Sequence, residues 1–189
     1  MVDNIGIRDY ADGVPVYCCF DKIIKTSDLK PNPKNPNKHP DEQIEKLSKV
    51  IKGAGWRNPI TISKLSGFIV KGHGRLLAAQ KLRLKEVPVE YQEYDTEASE
   101  LADLMADNRI AELSKNDKRK LLNLFEEFDT GEVDFELSGF EENEYKNLAH
   151  QFDEFSFKGK EEEGEEVGSV KAPTSKIIYC PNCGEEIEV

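Results

Sequence analysis

The chain has 189 residues, a formal net charge of −11, 38% hydrophobic and 33% charged residues. That length suits one medium domain with extensions or two small ones, and the high charged fraction places part of the chain outside any packed core. No run of about 18 apolar residues occurs, which excludes a membrane-spanning helix, and four cysteines in a chain of this size do not suggest a disulfide framework.

Charge is spread unevenly along the chain. From Asp21 to Tyr91 fifteen Lys and Arg stand against seven Asp and Glu, whereas from Gln92 to Val189 ten stand against twenty-seven. A basic half of this kind suits an anion, and the acidic half suits solubilising it, masking it or binding another protein. The opening Met1-Val2-Asp3-Asn4 has neither the basic flank nor the apolar stretch of a secretory leader, so the cytoplasm is the expected compartment.

Residues 1–20 form an extension in which Val14–Phe20 predicts a strand, at an edge because of Pro15. Leu29–Pro40, with its repeated Asn-Pro pairs and lysines, reads as an extended basic loop. A helix is expected from Pro40–Asp41 with Ile44, Leu47, Val50 and Ile51 on its buried face, stopped by Gly53 and Gly55. Trp56-Arg57-Asn58-Pro59 leads into an alternating strand, Ile60–Ser63, and Ser66-Gly67 turns the chain into a hairpin partner, Phe68–Lys71.

Gly72-His73-Gly74-Arg75 then joins that strand to a helix beginning on Arg75. Glycines at such a junction permit positive φ and close approach of a ligand, the free N–H groups of the helix face the same point, and arginine offers a planar fork of donors. The stretch is a candidate phosphate cradle, although taken alone the same tetrapeptide is also an ordinary turn. Val87–Tyr91 is a third strand. Thr96–Glu100 opens a helix to about Leu113 with Leu101, Leu104, Met105 and Ile110 as its buried stripe, and Asp107-Asn108-Arg109 lies on it. Ser114 or Asn116 caps a further helix carrying Leu121, Leu122, Leu124, Phe125 and Phe128, and Glu141–Phe152 predicts a last short helix. The expected division is an extension at 1–20, a compact α+β domain at 21–113, a helical extension at 114–152, an acidic linker at 153–175 and a terminal strand-knuckle-strand unit at 176–189.

The order Asn58-Pro59-Ile60, Gly72-His73-Gly74-Arg75, Val87-Pro88-Val89, Asp107-Asn108-Arg109 resembles the ParB-like N-terminal domain, whose fold is shared with sulfiredoxin. The expected fold is therefore α+β: a small mixed sheet with packed helices. Asp107-Asn108-Arg109-Ile110-Ala111-Glu112 with Ser138-Gly139-Phe140 looks most like the variety carried by phages and other mobile elements or associated with DNA methyltransferases. The resemblance implies that Gly72, His73, Gly74 and Arg75, with Trp56, Arg57, Asn58 and Pro59, bind a nucleoside triphosphate (CTP or ATP), and that Asp107 and Asn108 hold its Mg²⁺. DNA is the implied partner. Leu76 and Leu77 stand where partition proteins carry further arginines, which argues against their hydrolytic clamp cycle, and Phe68–Ala79 lacks the cysteine that sulfiredoxin chemistry needs.

Cys180-Pro181-Asn182-Cys183-Gly184 resembles half of a zinc ribbon. A structural zinc takes four ligands and this knuckle supplies two, so Cys180 and Cys183 are candidate Zn²⁺ ligands completed by Cys18 and Cys19, which as adjacent cysteines rarely point at one ion, or by the same pair of a second chain in a homodimer. A redox Cys-x-x-Cys pair is the other chemical reading, without a thioredoxin-like βαβ pattern around it. Cys18 and Cys19 read as small residues in a strand.

Three functions compete at this point. The first is a nucleotide-binding, DNA-associated protein with possible triphosphatase activity. The second is a metal-dependent nuclease using His73, Asp107 or Glu112, the local candidates for general base and metal ligand. The third is an adaptor that binds a methyltransferase or another DNA-processing protein through its acidic segment.

Overall fold

The computed structural model describes residues 6–128, 131, 133–161, 177–179 and 186–188, those from 153 onward as backbone only. It divides the chain into two compact units, Met1–Ala149 and His150–Val189.

The first unit opens with a hairpin of β1 (Asp9–Ala11) and β2 (Val14–Val16). Asp12 and Gly13 both take positive φ, 47° and 82°, the two-residue turn whose twist matches that of paired strands. The strand expected at Val14–Phe20 therefore stops at Val16, which bridges Trp56, and Cys18 and Cys19 follow in irregular backbone rather than in a strand.

β3 (Lys22–Lys25), α1 (Asp41–Ala54), β4 (Ile60–Ser63), β5 (Ile69–Lys71), α2 (His73–Lys81) and β6 (Glu86–Gln92) build the central layer. The sheet order is β3-β6-β4-β5, with β6 antiparallel to β3 and parallel to β4, and β4 antiparallel to β5. Its inner face carries Ile60, Ile62, Ile69, Val87 and Val89, packed with Ile44 and Ile51 of α1 and Leu76, Ala78 and Ala79 of α2 in one core. Burying these apolar faces holds the two helices to the sheet. Pro88 lies in the middle of the sheet without breaking it. The Thr26 N–H to Lys85 oxygen bond and the Lys64 N–H to Gln92 oxygen bond set the alternation that turns the even residues of β6 toward β4. The parallel ladder begins at Ile60↔Val89, so the missing N–H of Pro88 falls just before its first rung.

Gly55, with φ 75°, ends α1 as expected, its N–H bonded to the Ile51 oxygen. Gly53 instead lies inside the helix, where a Cβ would come within 2.5 Å of Leu137 Cδ2.

α3 (Glu97–Leu113) is capped reciprocally by Thr96 and Ser99, as the sequence suggested. Its buried stripe is shorter than expected. Leu104 is buried and Leu101 partly so, but Met105 and Ile110 are 57% and 67% exposed, because the second half of the helix extends past the elements it packs on.

α4 (Lys118–Phe128) is capped by Asp117, whose carboxylate accepts from the N–H groups of Arg119 and Lys120, rather than by Ser114 or Asn116. Phe125 gathers Phe135, Phe140 and Tyr145 at centroid distances of 5.3, 5.0 and 5.6 Å, a small aromatic core within the extension. This core docks on α1 through Leu137 over Gly53 and through the ion pairs Lys49–Glu136 (2.7 Å), Lys46–Glu141 (3.4 Å) and Lys46–Glu144 (3.3 Å).

α5 (Glu142–Glu161) runs on into the segment expected as an acidic linker. In the second unit β7 (Ile177–Tyr179) and β8 (Glu186–Glu188) pair antiparallel, and Cys180 and Cys183 between them lie outside the described residues.

Candidate functional site

β5 delivers the chain to Gly72 at φ 95°, ψ 25°, a left-handed conformation that a side chain occupies only with strain. α2 then starts at His73, two residues before the arginine expected to open it. No side chain caps it, and its first backbone bond runs from the Leu76 N–H to the Gly72 oxygen, so the preceding N–H groups make no bond within the helix.

Arg75 folds back over this turn. A Cβ on Gly72 would lie 2.8 Å from its Nε and 2.9 Å from Nη2, so glycine is required both by the backbone and by the guanidinium above it. Nε is closed off from solvent with no hydrogen-bond partner, and Arg75 makes no ion pair among the described residues. Burial pushes its pKa down, while the negative charges of the Asp107 and Glu90 carboxylates push it up. An arginine remains protonated in proteins, so the fold presents a partly desolvated cation whose carboxylate neighbours come near without pairing with it.

The floor of the turn is set by close packing. A Cβ on Gly74 would lie 3.4 Å from the His39 ring and 3.5 Å from Leu47 Cδ2, which brings α1 and the basic loop against the start of α2. The same loop supplies the Asn32 N–H that donates to His73 Nε2 at 3.2 Å. That bond assigns the neutral tautomer with the proton on Nδ1. Burial, and then the charge of His39, lower the His73 pKa.

The segment 56–59 has a divided role. Trp56 is 0% exposed and belongs to the core, so its ring is no platform for a nucleobase. Its backbone, however, holds the neighbouring stretch: the Trp56 oxygen accepts from the N–H groups of Tyr17 and Cys18, and its own N–H donates to the Pro15 oxygen. Arg57 is exposed, stacked 3.8 Å from the Tyr17 ring centroid, with Nε bonded to the Ala54 oxygen. Asn58 is exposed and Pro59 half-buried. Because Cys18 also feels Arg75, these bonds tie segment 56–59 to the side of the domain where the guanidinium lies.

On α3, Asp107 is exposed, makes no hydrogen bond or ion pair among the described residues, and influences Arg75 electrostatically. Asn108 donates its Nδ2 to the Leu104 oxygen, leaving its amide oxygen available. Glu112 is exposed, paired with Arg109 at 3.1 Å, and is not among the charges that reach Arg75. No group of three or more His, Cys, Asp or Glu suited to a metal occurs among the described residues. One carboxylate and one amide oxygen nevertheless match the way Mg²⁺ is held, by a few hard oxygens together with phosphates and water.

The sequence reading missed four residues here. Glu90 and Cys18 flank Arg75, Glu90 held by the Thr61 hydroxyl at 2.7 Å. Burial raises the Cys18 pKa, so its thiol stays protonated. Glu100 is 4% exposed and accepts from Ser63 Oγ (2.6 Å) and Ser66 Oγ (2.7 Å), locking the β4–β5 turn. Asp103 binds Lys71 Nζ at 3.0 Å and the Tyr94 hydroxyl at 2.7 Å. Burial acts to raise the Asp103 pKa, but those two donors outweigh it and the net shift is downward. Burial and the facing carboxylate push the Tyr94 phenol well above its usual range, which keeps it a donor. The signal for Asp103 and Glu100 was their spacing on α3 with Asp107, at i, i+3 and i+7.

A small α+β domain built around a left-handed glycine and a guanidinium at a strand-to-helix junction is thus the class the structure defines. The ParB N-terminal domain profile matches residues 19–108. The ParB-like nuclease domain-containing protein YnaK of Escherichia coli (strain K12) is 42% identical over 62 residues, 33% of this chain and 70% of that protein. The chain belongs to the ParB N-terminal domain family. Among solved structures, the C-terminally truncated partition protein ParB of Caulobacter crescentus complexed with CTP-γ-S aligns at 25% identity with a TM-score of 0.47, over 56% of this chain and 60% of that one. Sulfiredoxin of Arabidopsis thaliana aligns at 18% identity and TM-score 0.37, over 44% of this chain and 98% of that one.

Proposed function

We propose that this is a DNA-associated ParB-like protein that binds a nucleoside triphosphate at the Gly72–Arg75 turn, CTP being the first candidate and ATP the second. The observation that carries the reading is the unpaired Arg75 guanidinium folded over Gly72. A donor shut away from water without a partner costs roughly 1–3 kcal/mol, and an anion at this turn would remove that cost. The Gly72–Arg75 N–H groups at the open end of α2 would hold phosphate oxygens, and Arg75 would turn its fork toward them. Asp107 and the Asn108 amide oxygen would hold Mg²⁺, which when bound neutralises phosphate charge. Arg57 and Asn58, exposed on the adjoining loop, would face the rest of the nucleotide. The excess of lysine in the basic half would meet DNA phosphates, giving affinity without base reading.

A nuclease activity draws less support from the geometry. His73 commits its free lone pair to the Asn32 N–H and Glu112 is paired with Arg109, so Asp107 is left without a neighbouring base. A structural zinc at Cys180 and Cys183 shared between two chains, a protein partner on the acidic segment, a mobile-element origin and a cytoplasmic site remain parts of the proposal. No helix among the described residues is long and apolar enough to cross a membrane.

The test is thermal stabilisation of the full chain by CTP, ATP, GTP and ADP with Mg²⁺, in wild type and Arg75→Ala. A ligand at a hundred times its Kd stabilises the folded state by about 2.7 kcal/mol. Selective stabilisation that disappears in Arg75→Ala is expected, and silence from all four nucleotides would overturn the reading.

A further inference from the structure

Three carboxylates share one face of α3 and meet different fates. Glu100 is buried against the hydroxyls of Ser63 and Ser66. Asp103, nearly one turn further, divides its oxygens between Lys71 Nζ at 3.0 Å and the Tyr94 hydroxyl at 2.7 Å. Asp107, one turn further again, has no partner among the described residues and acts on Arg75. The donors that hold the first two come from the β4–β5 turn, from Lys71 immediately before Gly72, and from Tyr94 just beyond β6. The helix is therefore fastened to the strand that ends at the turn, and the fastening point is the residue one turn before the free carboxylate. Since i and i+4 positions of a helix share a face, fixing Asp103 against Lys71 fixes the azimuth and height of Asp107 relative to Arg75. Beyond Asp107 the helix has little packing to hold it, as the exposure of Ile110 and Leu113 shows.

We propose that Asp103 is a positioning residue: its bonds to Lys71 and Tyr94 set the place of Asp107 relative to Arg75, and so control the metal-dependent part of nucleotide binding. The inference rests on the nucleotide reading above but concerns a residue that touches neither nucleotide nor metal. Groups that hold a metal ligand in place typically contribute 10–100-fold to metal affinity, and the loss of either Asp103 bond is expected to cost that much here. The loss falls on Mg²⁺ dependence and leaves nucleotide binding without metal nearly unchanged.

The experiment titrates full-length wild type, Tyr94→Phe, Asp103→Asn, Asp107→Asn and the Asp103→Asn/Asp107→Asn double variant with CTP and with ATP. Each titration is run in Mg²⁺ and in EDTA, reading the ligand-induced change in Tm. That difference cancels a general loss of stability, and Tyr94→Phe keeps the ring that packs, so a misfolded Asp103→Asn would not end the test. Wild type is expected to bind more tightly in Mg²⁺. Tyr94→Phe and Asp103→Asn are expected to lose that gain by 10–100-fold, and Asp103→Asn to add nothing once Asp107 is already changed. Wild-type Mg²⁺ dependence persisting in Tyr94→Phe and Asp103→Asn, or additive effects in the double variant, would overturn the positioning role and leave the nucleotide reading standing. A wild type unmoved by either nucleotide would bring down both.

Discussion

At Gly72 two demands fall on one atom. The backbone is left-handed, and the space a Cβ would need is occupied by the Arg75 guanidinium at 2.8 Å. Gly72→Ala is therefore expected to destabilise the fold by about 1–3 kcal/mol, measurable by urea titration, and to push Arg75 off the turn. Arg75 itself should behave in the opposite way. Its closed-off Nε has no partner, so Arg75→Met is expected to leave the ligand-free protein as stable or more stable by roughly 1 kcal/mol, while abolishing stabilisation by nucleotide. A marked loss of stability would show instead that the guanidinium holds the fold together. His73 adds a pH dependence whose sign follows from its environment. Burial and His39 hold its folded pKa below the usual 6.5, so the unfolded chain binds the proton more readily. The stability this gives is present above about pH 6.5 and is lost as pH falls through the folded value. Thermal unfolding between pH 7.5 and 5 should show this decline, and His73→Gln should flatten it.

The elements divide into those that local sequence determines and those that need a distant partner. The β4–β5 hairpin, the glycine turn and the Thr96 cap were legible because the residues that make them are neighbours. The Asp12-Gly13 pair is an equally local signal of a hairpin, but Pro15 marks an edge without naming the strand it pairs with. The stripe of α3 misled because helical periodicity names a face without saying how far the partner surface extends, and here Met105 and Ile110 lie beyond it. The spacing of Glu100, Asp103 and Asp107 marks a shared face of α3 but not their partners, since Ser63, Ser66 and Lys71 reach the first two only through the sheet. The loop around Trp56 leaves both a core ring and a stacking platform open, and the bridge to Val16 settles it in the core. Gly53 carries the local signature of a helix stop, yet it lies within α1 and makes room for Leu137 from far along the chain. Gly53→Val is accordingly expected to displace the segment around Leu137 from α1 while leaving the sheet intact. Hydrogen exchange should then accelerate in residues 135–149 and stay slow in β4 and β6. The exposed glutamates on Lys46 and Lys49 contribute little by comparison, since solvent screens such pairs.

For the whole molecule the separation of charge is the governing feature. Part of the acidic half lies against part of the basic half, with Glu136, Glu141 and Glu144 on the lysines of α1, while Lys30, Lys34 and Lys38 of the loop stay exposed. If DNA binds the basic half through phosphates, affinity falls steeply with salt, with a log–log slope near −0.9 for each phosphate neutralised. Changing Lys30, Lys34 and Lys38 together to Gln should lower that slope by up to about three, in fluorescence anisotropy with a labelled duplex. An unchanged slope would place the DNA contact elsewhere.

Pro88 has a consequence beyond its tolerance in the sheet. Carrying the β4–β6 pairing one rung back from Ile60↔Val89 would set Pro59 opposite Pro88, two residues with no amide hydrogen between them. Zippering of the sheet halts there for want of a donor, and the stretch that runs from the buried indole of Trp56 to Pro59 is kept out of the ladder, whatever approaches from outside.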